Sequence, residues 1–128
     1  LFDAREIDLS ALPDEPLDNA SYFGRIFARS GGLADAVAEA LKEQGVTPDQ
    51  FTLKAVSCDG IEACRMALLK ASKNALPENF IEGMACIGGC IGGAGGLTHE
   101  PQDKAQGDQY GKLAMEKTIA DAIKPYSI

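Results

Sequence analysis

The chain has 128 residues and a formal net charge of −7, with 45% hydrophobic and 24% charged residues. Its length and even composition predict one domain, residues 1–128, that buries a single hydrophobic core. The acidic balance, together with the absence of a basic cluster in the sequence, argues against a nucleic-acid partner.

The start of the sequence carries no export or membrane signal. Leu1 does not open a basic and apolar leader, and no uninterrupted apolar run reaches the length that crosses a bilayer. We therefore expect a soluble, cytoplasmic protein with no membrane partner. Because the chain begins without a methionine, we also expect it to be a piece of a longer protein. Its four cysteines are then expected to be reduced thiols or metal ligands.

Residues 1–20 are predicted to form an extended surface arm, because prolines interrupt them and their apolar residues follow no regular period. The aromatic and β-prone residues 22–28 predict a short strand. Ser30, Gly31 and Gly32 are then expected to turn the chain into a helix, a role that helix capping alone would explain.

Two longer stretches predict helices. Over residues 33–43 the apolar side chains recur at helical spacing, and Gly45 follows as a stop signal. A second helix is predicted over residues 102–124, where Pro125 ends the pattern. The apolar face of that helix would consist of Met115, Ile119, Ala122 and Ile123.

The middle of the chain predicts a strand, a helix and a second strand. Residues 51–57 alternate apolar and polar side chains, as a half-buried strand does. Asp59 is expected to cap the helix that follows, with Glu62 three residues on. The buried stripe of this helix is predicted to be Ile61, Cys64, Leu68 and Ala71. A second strand is predicted over residues 80–85. The expected fold class is α/β, with a small parallel or mixed sheet flanked by helices.

Residues 80–100 contain seven of the fourteen glycines, together with Cys86 and Cys90. So dense a run of glycine indicates that a bulky group lies against this backbone and leaves no room for side chains. The two cysteines are four residues apart, which on a helical turn places them on one face. This spacing argues mildly against a zinc knuckle or a thioredoxin-type dithiol. Soft thiolate ligands with small neighbours fit an iron–sulfur cluster better. A glycine-rich turn with two structural thiols remains the alternative.

Two segments resemble the [FeFe]-hydrogenase family, the iron-only hydrogenases. The first matches the family's last cluster-binding motif, F-x-E-x-M-A-C-x-x-G-C-x-x-G-G-G-Q-P. Its matching residues are Phe80, Glu82, Met84, Ala85, Cys86, Gly89, Cys90 and Gly93. The second segment, residues 23–36, is similar to the family's F-G-x-S-G-G-V-x-E-A run. The two segments cover about a third of the chain and occur in the family's order, which implies the C-terminal part of the catalytic domain.

The resemblance implies an oxidoreductase that reversibly reduces protons to hydrogen. Cys86 would ligate the [4Fe-4S] cubane of the H-cluster, and Cys90 would bridge that cubane to the two-iron subsite. Met84 would pack near the subsite, although it is equally explained as a core residue. Gly89 and Gly93 would make room for the cofactor. Glu82 would belong to the cofactor-binding residues by hydrogen-bonding the loop; the alternative is that it faces solvent.

The sequence also departs from the family pattern. Ile87, Ala94 and the pair Gly96 and Leu97 replace the family's residues, which suggests a divergent, group-B-like branch. The family's T-S-C-C-P and M-P-C-T-A-K-K motifs are absent from these 128 residues. The rest of the parent chain would supply the missing ligands, and a ferredoxin-like carrier would supply electrons. We therefore expect this chain alone neither to bind the complete cluster nor to turn over hydrogen.

Three other residues invite a functional role. Cys58 and Cys64 are expected to be packing residues, because neither lies in a family motif. His99 invites a proton-relay role, but a single histidine is more often a surface or capping residue.

Two rival functions of the chain stay open at this point. One is a non-catalytic relative that assembles iron–sulfur clusters or senses hydrogen. The other is a nucleotide- or anion-binding α/β domain that uses the glycine-rich loop.

Overall fold

A small parallel sheet lies at the centre of the fold. The computed structural model describes residues 2–13, 15 and 20–126, and within them the sheet has two strands. Strand β1 is Ala55–Asp59 and β2 is Phe80–Met84, with Ala55 opposite Phe80 and Asp59 opposite Met84. The predicted α/β class and the parallel pairing are confirmed. The first strand begins later than predicted, because Phe51 to Lys54 precede the hydrogen-bonded ladder.

Helices flank this sheet. They are α1 Tyr22–Arg25, α2 Gly32–Glu43, α3 Ile61–Ser72, α4 Asp103–Lys112 and α5 Ile119–Ile123. Both α2 and α3 contact both strands, whereas α1 packs between α2 and α4, and α5 packs on α2. The predicted helix over residues 33–43 is confirmed. No helix among the described residues is long and apolar enough to span a bilayer.

The N-terminal part differs from its prediction. Residues 22–28 were expected to be a strand, but Tyr22–Arg25 form one helical turn. Ser21 explains the difference, because its hydroxyl oxygen accepts a hydrogen bond from the amide of Gly24 at 3.4 Å and so caps the turn. In the arm, 3-10 turns occur at Asp3–Arg5 and Leu9–Ala11. The prediction of an extended arm also covers residues 1, 14 and 16–19, which lie outside the described part of the chain.

The predicted single helix over residues 102–124 is wrong. The chain forms α4 and α5 with an irregular segment between them. A new helix starts at Ile119 because Thr118 caps it, its hydroxyl accepting from the amide of Asp121 at 3.0 Å. The carboxylate of Glu43 accepts from the amides of Ile119 and Ala120 and so ties α5 to the end of α2.

The predicted buried stripe of α3 is also partly wrong. Ile61 and Leu68 are 69% and 61% exposed, whereas Ala67 is buried. Cys64 and Ala71 are half-buried, which indicates that the face of α3 that contacts the sheet is narrow. The reason is the width of the sheet: two strands cover only one row of helix side chains, so the rest of the apolar surface of α3 stays open.

Candidate metal centre on the cysteine loop

The chain leaves β2 at Met84 and enters the cysteine loop, residues 85–93. The amide of Gly89 donates to the carbonyl of Cys86 at 3.1 Å, closing a turn in which Gly88 has a φ of +83°. A 3-10 turn, Cys90–Gly92, follows at once. The two cysteines therefore lie on a glycine turn and a 3-10 turn, and the expected single helical turn is wrong. Glycine is required at position 88 because only glycine adopts that φ without strain.

Both cysteines of the loop are exposed. Gly93 lies directly beside the first sulfur: a Cβ atom at position 93 would be 3.1 Å from the Sγ of Cys86. A side chain there would compete with whatever the sulfur binds. Among the described residues, no group of three or more His, Cys, Asp and Glu side chains could hold a metal ion. The loop thus offers two accessible thiols with open space around them, which fits two ligands of a shared cluster.

The loop pairs with the segment that precedes α2. The amide of Ser30 donates to the carbonyl of Gly88 at 3.0 Å, and the amide of Ile91 donates to the carbonyl of Ala28 at 3.0 Å. Arg29 and Gly89 form the antiparallel bridge between these two bonds. The structure therefore brings together the two segments that carry the family resemblance.

The amides of the cysteine loop are used to hold the loop itself. Those of Gly88, Gly89, Ile91, Gly92 and Gly93 each donate to an acceptor within the chain. The acceptor for Gly88 is the Oδ2 of Asp59, at 2.9 Å. Asp59 was expected to cap α3, but the N-cap is Gly60, which makes no side-chain cap hydrogen bond. Asp59 instead joins the end of β1 to the turn between the cysteines.

Glu82 is 1% exposed and lies in the middle of β2. Its carboxylate accepts hydrogen bonds from the amide of Gly31 at 2.9 Å, the amide of Ala34 at 3.1 Å and the hydroxyl of Ser57 at 3.1 Å. It neither faces solvent nor bonds to the cysteine loop. A carboxylate at a helix N-terminus satisfies amides that lack a partner within the helix. Glu82 therefore fixes the start of α2 against the sheet.

Met84 and Cys64 pack beneath the loop. The Met84 sulfur lies 2.7 Å from the position that a Cβ at residue 89 would take, so it fills the space under Gly89. The Cys64 thiol lies 3.4 Å from the carbonyl oxygen of Cys58 and 3.5 Å from that of Met84. The hydrogen bonds of this thiol are therefore made within the fold.

Cys58 is buried at the end of β1. Burial raises the pKa of its thiol, and the neighbouring Cys64 adds to the effect. Because the thiolate is the reactive form, we expect iodoacetamide at pH 8 to alkylate Cys86 and Cys90 well before Cys58 in the folded chain. Mass spectrometry of timed samples measures the order, and all four cysteines should react alike in urea. Equal rates in the folded chain would contradict the burial of Cys58.

The ring of His99 lies at the far end of the loop. Its Nε2 is 2.8 Å from the carbonyl oxygen of Gly93, so this nitrogen carries a hydrogen and donates it. The side chain thus braces the end of the cysteine loop. His99 also lines an open cleft of about 960 Å³ between the loop and α4, with Ser30, Asp59, Gly88 and Lys104. Neither Cys86 nor Cys90 lines this cleft.

Arg29 is a site residue that the sequence did not reveal. It is 8% exposed, and its guanidinium bonds to Asp108 at 2.6 Å, to Asp35 at 2.8 Å and to the carbonyl of Ser30 at 3.3 Å. Burial by itself lowers the pKa of this group, but the hydrogen bonds that it donates to the two carboxylates outweigh burial and raise the pKa. The sequence held no signal for this group, because Asp108 is 79 residues away along the chain.

Comparison with known proteins supports the resemblance. Residues 1–94 match the family model described as iron only hydrogenase large subunit, C-terminal domain. The match includes the whole cysteine loop, both strands and the segment that precedes α2. A search of curated proteins finds no match. Because the match covers most of the 128 residues, the chain belongs to the family of the iron-only hydrogenase large subunit, C-terminal domain.

Proposed function

We propose that this chain supplies two cysteine ligands to the H-cluster of an [FeFe]-hydrogenase, which reversibly reduces protons to hydrogen. The observation that carries the proposal is the exposure of Cys86 and Cys90 on a loop covered by the family match. Exposed cysteines that lie close together in the sequence are suited to supply ligands to an iron–sulfur cluster. When bound, the cluster and its two-iron subsite supply the redox chemistry of the reaction.

The proposal gives each residue of the site a task. Cys86 and Cys90 would hold the cluster, Cys86 at its [4Fe-4S] cubane and Cys90 where the two-iron subsite belongs. Gly93 leaves the space beside the Cys86 sulfur open, since any Cβ at position 93 would crowd that sulfur. Gly89 allows the loop to approach the segment before α2, and Met84 supports it from below.

Glu82 was predicted to bind the cofactor. Its hydrogen bonds to Gly31, Ala34 and Ser57 support an indirect role, in which it holds α2 in place behind the loop. Five amides of the cysteine loop are already bonded within the chain, which supports a role for this part of the protein in orienting the two sulfurs. Amide hydrogen bonds to the cluster sulfides would have to come largely from elsewhere in the parent protein.

The remaining ligands come from the rest of a parent hydrogenase chain in this proposal, and electrons come from a ferredoxin-like carrier in the cytoplasm. The chain carries two of the cysteines that grip the cluster, so alone it binds no complete H-cluster. The departures at Ile87, Ala94 and Leu97 favour a divergent, group-B-like branch of the family.

Iron binding tests the ligand assignment. After anaerobic reconstitution of the parent protein with iron and sulfide, Cys86→Ser and Cys90→Ser are each expected to lower the iron and acid-labile sulfide content and to abolish hydrogen evolution. Cys64→Ser is the matched control, because its thiol donates to carbonyls within the fold and should leave iron content unchanged. Full iron content in the double variant Cys86→Ser/Cys90→Ser would refute the assignment.

The two rival functions predict different results. A parent protein that binds the cluster in its native form but evolves no hydrogen would be the non-catalytic relative, an assembly or hydrogen-sensing protein. A nucleotide- or anion-binding domain would be stabilised by nucleotide and indifferent to both cysteine substitutions. The structure disfavours that rival, because phosphate loops need free amides and five amides of this loop already have acceptors.

A further inference from the structure

We propose that Arg29 is the positioning residue that sets the separation of the Cys86 and Cys90 thiols, acting through its ion pairs with Asp35 and Asp108. The inference deepens the proposed function and rests on it in one respect, that both thiols serve a single guest. Arg29 lines the cleft on the other side of the loop, whereas the cysteines do not. It therefore acts through the loop backbone and has no role as a ligand.

The side chain of Arg29 is held from three directions. Asp35 belongs to α2, Asp108 belongs to α4, and the third acceptor is the carbonyl of the neighbouring Ser30. Its side chain is only 10% exposed, whereas those of Asp35 and Asp108 are 53% and 30% exposed. A planar guanidinium can serve several acceptors in fixed directions, which an ammonium group cannot. Arg29 thus locks the segment before α2 to two helices at once.

The backbone of the same residue reaches the cysteine loop. Arg29 bridges Gly89, which lies next to Cys90. The bonds from Ser30 to Gly88 and from Ile91 to Ala28 flank this bridge on either side. The turn between the two cysteines therefore takes its position from residues 28–30, and these residues take theirs from the Arg29 ion pairs.

Loss of the guanidinium should consequently loosen the spacing of the thiols more than it unfolds the chain. Asp35 and Asp108 can be rehydrated because both are partly exposed, so their loss of a partner costs less than it would in a closed core. The backbone bonds to Gly88 and Ile91 remain, but the ion pair that joins residue 29 to α4 is lost.

A reagent that must bond both thiols measures their separation directly. Phenylarsine oxide joins two thiols through two As–S bonds and releases water. With the 128-residue chain kept well below its unfolding midpoint, Arg29→Ala should weaken this binding by about tenfold, because the second bond forms with a lower effective concentration. Binding that disappears in Cys90→Ser defines the part that needs both thiols.

Controls separate an effect on the positions of the two thiols from an effect on their exposure or on the stability of the fold. Arg65→Ala removes a guanidinium whose ion pair with Glu62 is on the surface, and it should leave arsenical binding unchanged. The rate of modification by a one-thiol reagent should be the same in wild type and Arg29→Ala. Arg29→Lys keeps the charge but not the planar fork, and should recover only part of the affinity.

The outcomes distinguish the inference from the proposed function. Suppose that folded Arg29→Ala binds phenylarsine oxide with wild-type affinity and differs only in a lower unfolding midpoint. This result would overturn the inference, but it would not contradict iron binding by the two cysteines. Tight arsenical binding that weakens in Arg29→Ala, in a parent protein that takes up no iron, would refute the proposed function and leave the inference standing. If Arg29→Ala does not fold, Asp108→Asn replaces it, since it removes one ion pair and keeps Arg29. That variant should weaken arsenical binding by several-fold, and no change would overturn the inference.

Discussion

Replacing Glu82 with alanine is expected to lower the free energy of unfolding by roughly 3–5 kcal/mol, because donors lose their shared acceptor and a cavity is left. The carboxylate accepts from the amides of Gly31 and Ala34 and from the hydroxyl of Ser57. Removing it leaves the buried amide of Ala34 without an acceptor, takes an acceptor from the part-buried donors of Gly31 and Ser57, and also leaves a cavity. Urea unfolding followed by circular dichroism measures the change.

A pair of Glu→Gln substitutions supplies the control. Glu82→Gln keeps one acceptor oxygen but presents an amide group to a backbone N–H, so it should cost less than alanine and still about 2 kcal/mol. Glu62→Gln removes a charge whose partner, Arg65, is also exposed, and should change stability by less than about 0.5 kcal/mol. Glu82→Ala with nearly wild-type stability would mean that the carboxylate is not the cap of α2.

Replacing Gly89 with alanine is expected to destabilise the chain by roughly 2–5 kcal/mol and to lower the iron content of the reconstituted parent. Two effects add at this position. Its φ is +90°, which costs a residue with a Cβ about 1–2 kcal/mol. The new Cβ would also lie 2.6 Å from the amide nitrogen of Ser30 and 2.7 Å from the Met84 sulfur, so the loop would have to move away.

Neighbouring glycines separate these two effects. Gly88→Ala introduces the same kind of backbone strain, at a φ of +83°, but nothing lies within 4 Å of its Cβ position. It should therefore show the strain alone. Gly95→Ala, which has neither a positive φ nor a close neighbour, should be nearly neutral. If Gly89→Ala were no more destabilising than Gly88→Ala, the close approach between the loop and residues 28–30 would be disproved. Thermal unfolding of the three variants measures the difference.

Local patterns predicted the elements whose formation depends on nearby residues. Helix α2 occurs where the helical spacing of apolar residues places it. Strand β2 occurs within residues 80–85, where the second strand was predicted. Tyr22–Arg25, in contrast, became a helical turn because one serine capped it. Helix α5 begins separately because Thr118 and the distant Glu43 satisfy its first amides. The periodicity of apolar residues does not register either kind of capping.

At the candidate site, too, local sequence patterns predicted some features, and contacts between distant residues determined the others. The motif predicted Cys86 and Cys90, and the structure places both on an exposed loop. It did not predict that Asp59 would bond the turn between them, nor that Arg29 would join two helices behind it. Each of these contacts joins residues far apart in the sequence, and no spacing rule relates such residues. The family match covers both Asp59 and Gly88, whose amide donates to the Asp59 carboxylate, but it ends before Asp108.

The bridge between Arg29 and Gly89 joins residues about 60 positions apart, and the entropy of closing so long a loop must be overcome before the bridge can form. A truncated polypeptide that contains both cysteines but lacks residues 28–30 would therefore sample many thiol separations, and so would a nascent chain in which the two segments have not yet paired. If both thiols hold one cluster, as proposed above, chelation by both would follow the pairing of the cysteine loop with residues 28–30. Metal delivery would then be a step of maturation that comes after this part of the chain has folded.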